Sequence, residues 1–162
     1  MKIDRVYTSY FYQIRNFTPD MVPLSTAVFD PKWYHLNKGQ NHVYIDKNGV
    51  INGLRINQMH PDSSCDYQCT ACQKTGNPDT CDFLRLYKVQ LENIPFEQFM
   101  QNLENYLDII QRDYLKTDKE LHVIFMVHEA LGNKCSERRV IQDWFNDHGI
   151  RCTEWMGEMF DA

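Results

Sequence analysis

Residues 65 to 81 read CDYQCTACQKTGNPDTC, and four of the chain's six cysteines sit in that stretch. The spacing is C-x3-C-x2-C-x8-C, from Cys65, Cys69, Cys72 and Cys81. Short spacings let neighbouring thiolates close on one ion, and the longer loop brings a fourth ligand back. Four thiolates in a tetrahedron suit a zinc ion; they also suit an iron–sulfur cluster. His60 lies just upstream and could replace one sulfur. The segment has little apolar content of its own, so a bound metal would contribute directly to its folding. The C-x3-C-x2-C part resembles the cluster motif of radical SAM enzymes, in which three cysteines leave one iron open. Against that stand the nearby fourth cysteine Cys81, Ala71 where an aromatic is usual, and a chain too short for the usual barrel. The expectation is a structural metal site, zinc before iron–sulfur.

A second constellation runs from Glu129 to Arg139, EALGNKCSERR. It links an apolar run to a helical pattern. At the carboxyl end of a strand in an open parallel sheet, such a connection lines the ligand crevice. A helix N-terminus there favours anions through its open N–H groups and dipole. Glu129 is placed to act as a general acid or base. Cys135, beside that helix start with Arg138 and Arg139, sits where a thiolate is favoured and is a candidate nucleophile. The plainer alternative makes Cys135 a small packing residue and pairs the arginines with nearby acids. His128 should point to the other side of the strand from Glu129. Cys152, among apolar neighbours, reads as core. Near the N-terminus, Ser9 and Ser25 are hydroxyls within apolar strands, and Lys32 and Trp33 follow the second strand. A cation beside aromatics can hold a base or sugar by stacking. Candidate ligand contacts are therefore Ser9, Ser25, Lys32, Trp33 and Arg139, with Glu129, Cys135 and Arg138 as the candidate catalytic set.

The elements that must position these groups follow from periodicity. RVYTSYF (5–11) and MVPLSTAVF (21–29) are rich in β-branched, aromatic and apolar residues and predict strands. HVYIDKNGVINGLRI (42–56) predicts a hairpin turning at Asp46–Gly49. A helical pattern begins after Cys81, and a second starts near Pro95 with Phe96, Phe99, Met100, Leu103, Tyr106, Leu107 and Ile110 on one stripe. LHVIFMV (121–127) predicts a strand buried on both faces. Ser136 is the expected N-cap of a last helix that Gly149 ends, and IRCTEW (150–155) is a short final strand. Strand, helix, strand in that order implies a parallel sheet.

The chain has 162 residues, 43% of them hydrophobic, which fits one domain able to bury its own core. The fold expected is a single compact Rossmann-like α/β domain over residues 1–162, with a mostly parallel sheet and a four-cysteine metal-binding insertion at 57–82. The net charge of -5 tells against a broad nucleic-acid footprint and permits a nucleotide or a local basic patch. No signal peptide and no apolar run of about 20 residues is visible, so a soluble cytoplasmic protein with no membrane partner is expected. Reduced cytosolic thiols that cluster bind metal more often than they form disulfides.

Several motifs together resemble one family. YTSYF (7–11), VPLSTAVFDPKWY (22–34), GLR (53–55), CDFLRLYKVQL (81–91) and EALGNKCSERRVIQDWF (129–145) are similar to the bacterial and phage domain-of-unknown-function family numbered 488. The resemblance implies a compact Rossmann-like domain and carries Ser9, Ser25, Glu129, Cys135 and Arg138 as site positions. Some members lack a cysteine matching Cys135, which favours a supporting role there. The cysteine-rich insertion belongs to a subset. The family supplies no established activity. Three functions therefore stand: a zinc-binding accessory protein that holds a nucleotide or nucleic acid, a small enzyme acting on a nucleotide-like or phosphorylated substrate at the Glu129–Cys135 crevice, and an iron–sulfur redox protein.

Overall fold

The computed structural model describes residues 1–36, 42–62, 65, 77–132 and 135–160. Four strands form one all-parallel sheet: β1 (Arg5–Tyr10), β2 (Met21–Ser25), β5 (His122–Val127) and β6 (Arg151–Glu154), in the order β2-β5-β1-β6. The central pair explains the apolar runs, because β5 and β1 have neighbours on both edges and Val123 to Val127 are all buried. β2 would be an edge strand, but Leu54 and Ile56 run beside it. The Ser25 N–H donates to the Leu54 carbonyl at 2.9 Å, and the Ile56 N–H to the Ser25 carbonyl at 3.0 Å. That covers the open edge. The missing donor of Pro23 is tolerated there.

The hairpin is present as β3 (Tyr44–Ile45) and β4 (Ile51–Asn52), paired antiparallel. Asp46 Oδ1 accepts the N–H groups of Asn48 and Val50 at 2.8 and 3.1 Å, and Gly49 takes φ +81° in the turn. The expected helices are α1 (Asp82–Glu92), α2 (Phe96–Ile109) and α3 (Arg138–Asp147). α2 continues as a π-helical segment, Ile110–Leu115, that Lys116 ends in the left-handed region at φ +48°. Gly149, at φ +83°, follows the end of α3 as expected. Among the described residues no helix is long and apolar enough to cross a membrane.

Side-chain alternation divides the core into two. Val6, Val22, Leu24, Val123, Phe125 and Val127 face Tyr87, Leu91, Phe99, Leu103, Phe145 and their neighbours, so α1, α2 and α3 all pack on one face. Tyr7, Met21, Ile124 and Met126 face Phe11, Ile14, Phe17, Tyr34 and Trp155 on the other. A doubly wound sheet carries helices on both faces. Here the second face is covered, among the described residues, by 3₁₀ turns and aromatic side chains, because the segment from Phe11 to Phe17 is too short to build a crossover helix.

Candidate functional site

The connections after the two central strands leave in opposite directions. After β1 the chain enters the 3₁₀ segment Phe11–Asn16, on the face without helices. After β5 it crosses to α3, on the helical face. Adjacent parallel strands whose connections diverge open a crevice at their carboxyl ends. Glu129 follows the carboxyl end of β5, on the connection that leads to α3.

On the helical side the network is built around the start of α3. Ser136 Oγ donates to Glu129 Oε2 at 3.1 Å and accepts the Arg138 N–H at 3.3 Å. Ser136 thus satisfies a helix-start donor, although the helix boundary itself falls one residue later, at Glu137. Glu137 is buried, at 5% exposure, and its carboxyl hydrogen-bonds to that of Glu129. Burial, and then the charge of Glu129, push the Glu137 carboxyl up to about 8. A like charge beside a buried carboxyl makes losing the proton costly, so Glu137 keeps its own.

Arg138 is buried too, and its charge is already committed. Nε lies 3.0 Å from Glu154 Oε1, Nη1 donates to the Ala130 carbonyl at 3.0 Å, and Nη2 donates to the Glu129 carbonyl. The guanidinium sits 5.7 Å from the centre of the Tyr10 ring. Glu154 Oε1 also accepts from Thr8 Oγ1 at 2.8 Å, and Thr8 in turn accepts from Gln142 Nε2 at 2.7 Å. Burial raises the Glu154 carboxyl, against the opposing pull of Thr8 and Arg138. Arg138 therefore locks the 129–130 backbone to β6 and α3. Arg139, one residue on, is exposed and is the arginine of that pair open to an outside anion.

The other face carries a second polar node, at the end of β2. Ser25 Oγ donates to Asp30 Oδ1 and accepts the Ala27 N–H at 3.2 Å. Asp30 also takes Arg55 Nη1 on Oδ1 and His35 Nε2 on Oδ2, each at 2.6 Å. Arg55 Nη2 reaches the Ala27 carbonyl at 2.8 Å. The Asp30 and His35 side chains are 4% and 8% exposed, and His35 Nδ1 is buried with no hydrogen-bond partner among the described residues.

The site residues expected from sequence are thus divided. Glu129 and Arg138 meet on the helical side. Ser9 and Ser25 lie in one row on either side of Met126, on the opposite face. Ser9 Oγ is buried without a hydrogen-bond partner among the described residues. His128 points away from Glu129, as expected, and its ring packs 5.1 Å from that of Phe11. Cys135 is disulfide-bonded, and in that state its sulfur is not a nucleophile. It packs against Cys81 and Leu84, beside the start of α1. Lys32 and Trp33 are exposed, with Trp33 at 50%. Cys152 is core, and burial pushes its thiol up to about 12. Cys65 and Cys81 are buried, and Cys65 Sγ lies 3.6 Å from Gln90 Oε1 on α1. Cys69 and Cys72 lie outside the described residues. Among the described residues no three His, Cys, Asp or Glu side chains converge as a metal-binding group.

Sequence reasoning passed over Glu137, Glu154, Asp30 and His35. Glu154 had a signal, an acid inside a short strand beside Cys152 and Trp155. Asp30 had a weaker one, an acid directly after an apolar strand. Nothing local marks Glu137 apart from Glu129, eight residues away across the loop.

No family model matches the chain, and no curated protein or solved structure is significantly similar to it.

Proposed function

We propose that this protein is a small α/β enzyme acting by proton transfer on a nucleotide-like substrate, with a zinc-binding cysteine segment that is structural. The observation carrying the reading is the Glu129–Glu137 carboxyl pair at the carboxyl end of β5. A carboxyl with its proton held up to about 8 is a general acid, or after one ionisation a general base, near neutral pH. Glu137 is buried and Glu129 partly exposed, so Glu129 is the member that meets substrate and Glu137 the one that stores the proton. Arg138, Ser136 and Glu154 are positioning residues that hold the loop. With Arg138 already paired, a phosphate would be met by Arg139, while the carboxyls suit the N–H groups of a base. The all-parallel sheet is in keeping with an α/β fold, and the Rossmann-like class that the 488 resemblance implies is proposed with it.

Zinc is proposed for Cys65, Cys69, Cys72 and Cys81. The two described members of that set are buried, Cys65 beside Gln90 in the last turn of α1 and Cys81 at its start. With the chain's cysteines reduced, Cys135 included, four thiolates would give zinc a closed, structural site that holds the segment in place. The acid–base role is tested by incubating the purified protein with ribo- and deoxyribonucleotides and following product by ion-pair chromatography. The expected result is turnover that Glu129→Gln lowers about 100-fold or more while circular dichroism stays unchanged. Equal rates in the two proteins would remove Glu129 from the chemistry.

A further inference from the structure

The loop from residue 26 to 36 is held rigidly and yet presents large apolar side chains to water. Its anchors are internal. Asp30 is tied to Ser25, His35 and Arg55. Tyr34 is fully buried, its hydroxyl 3.0 Å from the Pro23 carbonyl and 2.8 Å from that of Leu54. The Tyr44 hydroxyl donates to the Trp33 carbonyl, and His128 Nε2 bonds the Phe29 carbonyl. From this clamped backbone Phe29, Trp33 and Leu36 project at 79%, 50% and 60% exposure. Buried Phe11 ties the surroundings together. Its ring is 6.5 Å from Trp33 and 5.1 Å from His128, and the next residue, Tyr12, is 59% exposed. Aromatic side chains grouped in water on a fixed backbone mark a binding surface.

Charge narrows the occupant. The chain carries -5 overall, but between residues 5 and 36 its acids are Asp20 and Asp30 alone; Asp20 is buried, and the Asp30 side chain is 4% exposed and paired with Arg55. The bases Arg15 and Lys32 are exposed, and the Arg15 guanidinium lies 3.7 Å from the centre of the Tyr12 ring. The exposed bases Arg15 and Lys32 together with several exposed rings match a strand that alternates phosphates with flat bases. A mononucleotide needs one stacking ring; several rings suit successive bases.

We propose that the loop bearing Phe29, Lys32 and Trp33 is a base-stacking platform for single-stranded nucleic acid. This names the form in which the substrate of the Glu129 site is presented, and it rests on the nucleotide-like reading above. The His128–Phe29 bond sets the platform loop directly beside the Glu129 loop. Stacking is tolerant of base identity, and the phosphate contribution makes binding salt-dependent.

The test is fluorescence anisotropy with labelled oligothymidylate and oligoadenylate of about twelve nucleotides, against the full-length protein at low and moderate salt. Binding should weaken with salt. Trp33→Ala and Phe29→Ala should each weaken it about tenfold or more, and Lys32→Ala should lower the salt slope. Both aromatic positions are exposed, so a matching circular dichroism spectrum separates lost binding from lost fold. No binding by wild type overturns the platform, as does binding that both aromatic variants retain. A concentration-dependent dimer in sedimentation that Phe29→Ala abolishes also overturns it, since a second copy would then be the occupant. If mononucleotide turnover still depends on Glu129 while oligonucleotides fail to bind, the platform falls and the enzyme reading stands. If oligonucleotides bind as expected but no turnover depends on Glu129, the platform stands alone.

Discussion

Glu129 and Glu137 hydrogen-bond carboxyl to carboxyl across the loop that joins β5 to α3, with Glu137 buried and held up to about 8 from an ordinary 4.5. The consequence for stability has a definite sign. Between about 4.5 and about 8 the folded chain holds a proton at Glu137 that the unfolded chain has lost. The stabilisation is full below the lower value and is lost as pH rises through the upper one. Urea unfolding between pH 5 and 9 should show falling stability toward the alkaline side, by at least about 1 kcal/mol. Glu137→Gln should flatten that slope. A slope unchanged by the substitution would assign it to other groups, among which Glu154 is raised in the same direction.

Arg138 makes a prediction through its partner. Replacing it with alanine leaves the Glu154 carboxylate buried and facing only Thr8, and frees two loop carbonyls. Breaking a buried pair from one side destabilises by roughly 3–5 kcal/mol. Glu154→Gln keeps an acceptor for Thr8 and should lose less. Denaturant midpoints of the two variants, measured in parallel, check the order.

Gly53 is irreplaceable for a local reason. It takes φ +101°, and a Cβ there would meet the His42 carbonyl oxygen at 2.7 Å and Val43 Cα at 3.0 Å. Gly149 takes φ +83° with open space around it. Gly53→Ala should therefore lower stability by more than about 2 kcal/mol, and Gly149→Ala by about 1 kcal/mol. Equal losses in thermal melts would mean that the contact across the hairpin yields easily.

Metal content decides the cysteine segment. Protein purified without chelator or an affinity metal column should carry about one zinc per chain and no visible absorbance. Cys81→Ser should lower occupancy and the melting temperature together, while Cys152→Ser, altering a core thiol, should leave occupancy unchanged. Iron with sulfide would move the segment to redox chemistry, and absence of both metals would remove the site.

The sequence by itself determined the elements. The apolar run of 121–127, the stripe of Phe99, Leu103 and Leu107, the Asp46–Gly49 turn and the glycine after α3 are all local consequences of side-chain period and backbone freedom, and each is in the fold at the expected place. The parallel sheet followed from the order of elements. Which charged groups are available for chemistry was not local. Arg138 and Arg139 are neighbours of the same type, yet one is buried against Glu154, sixteen residues on in β6, and the other is exposed. Glu137 holds its proton because α3 packs it against Glu129 out of water, and Asp30 is consumed by residues from three stretches of chain. Burial and pairing set the state of a charge, and both depend on residues distant in sequence, so only the tertiary structure could decide them.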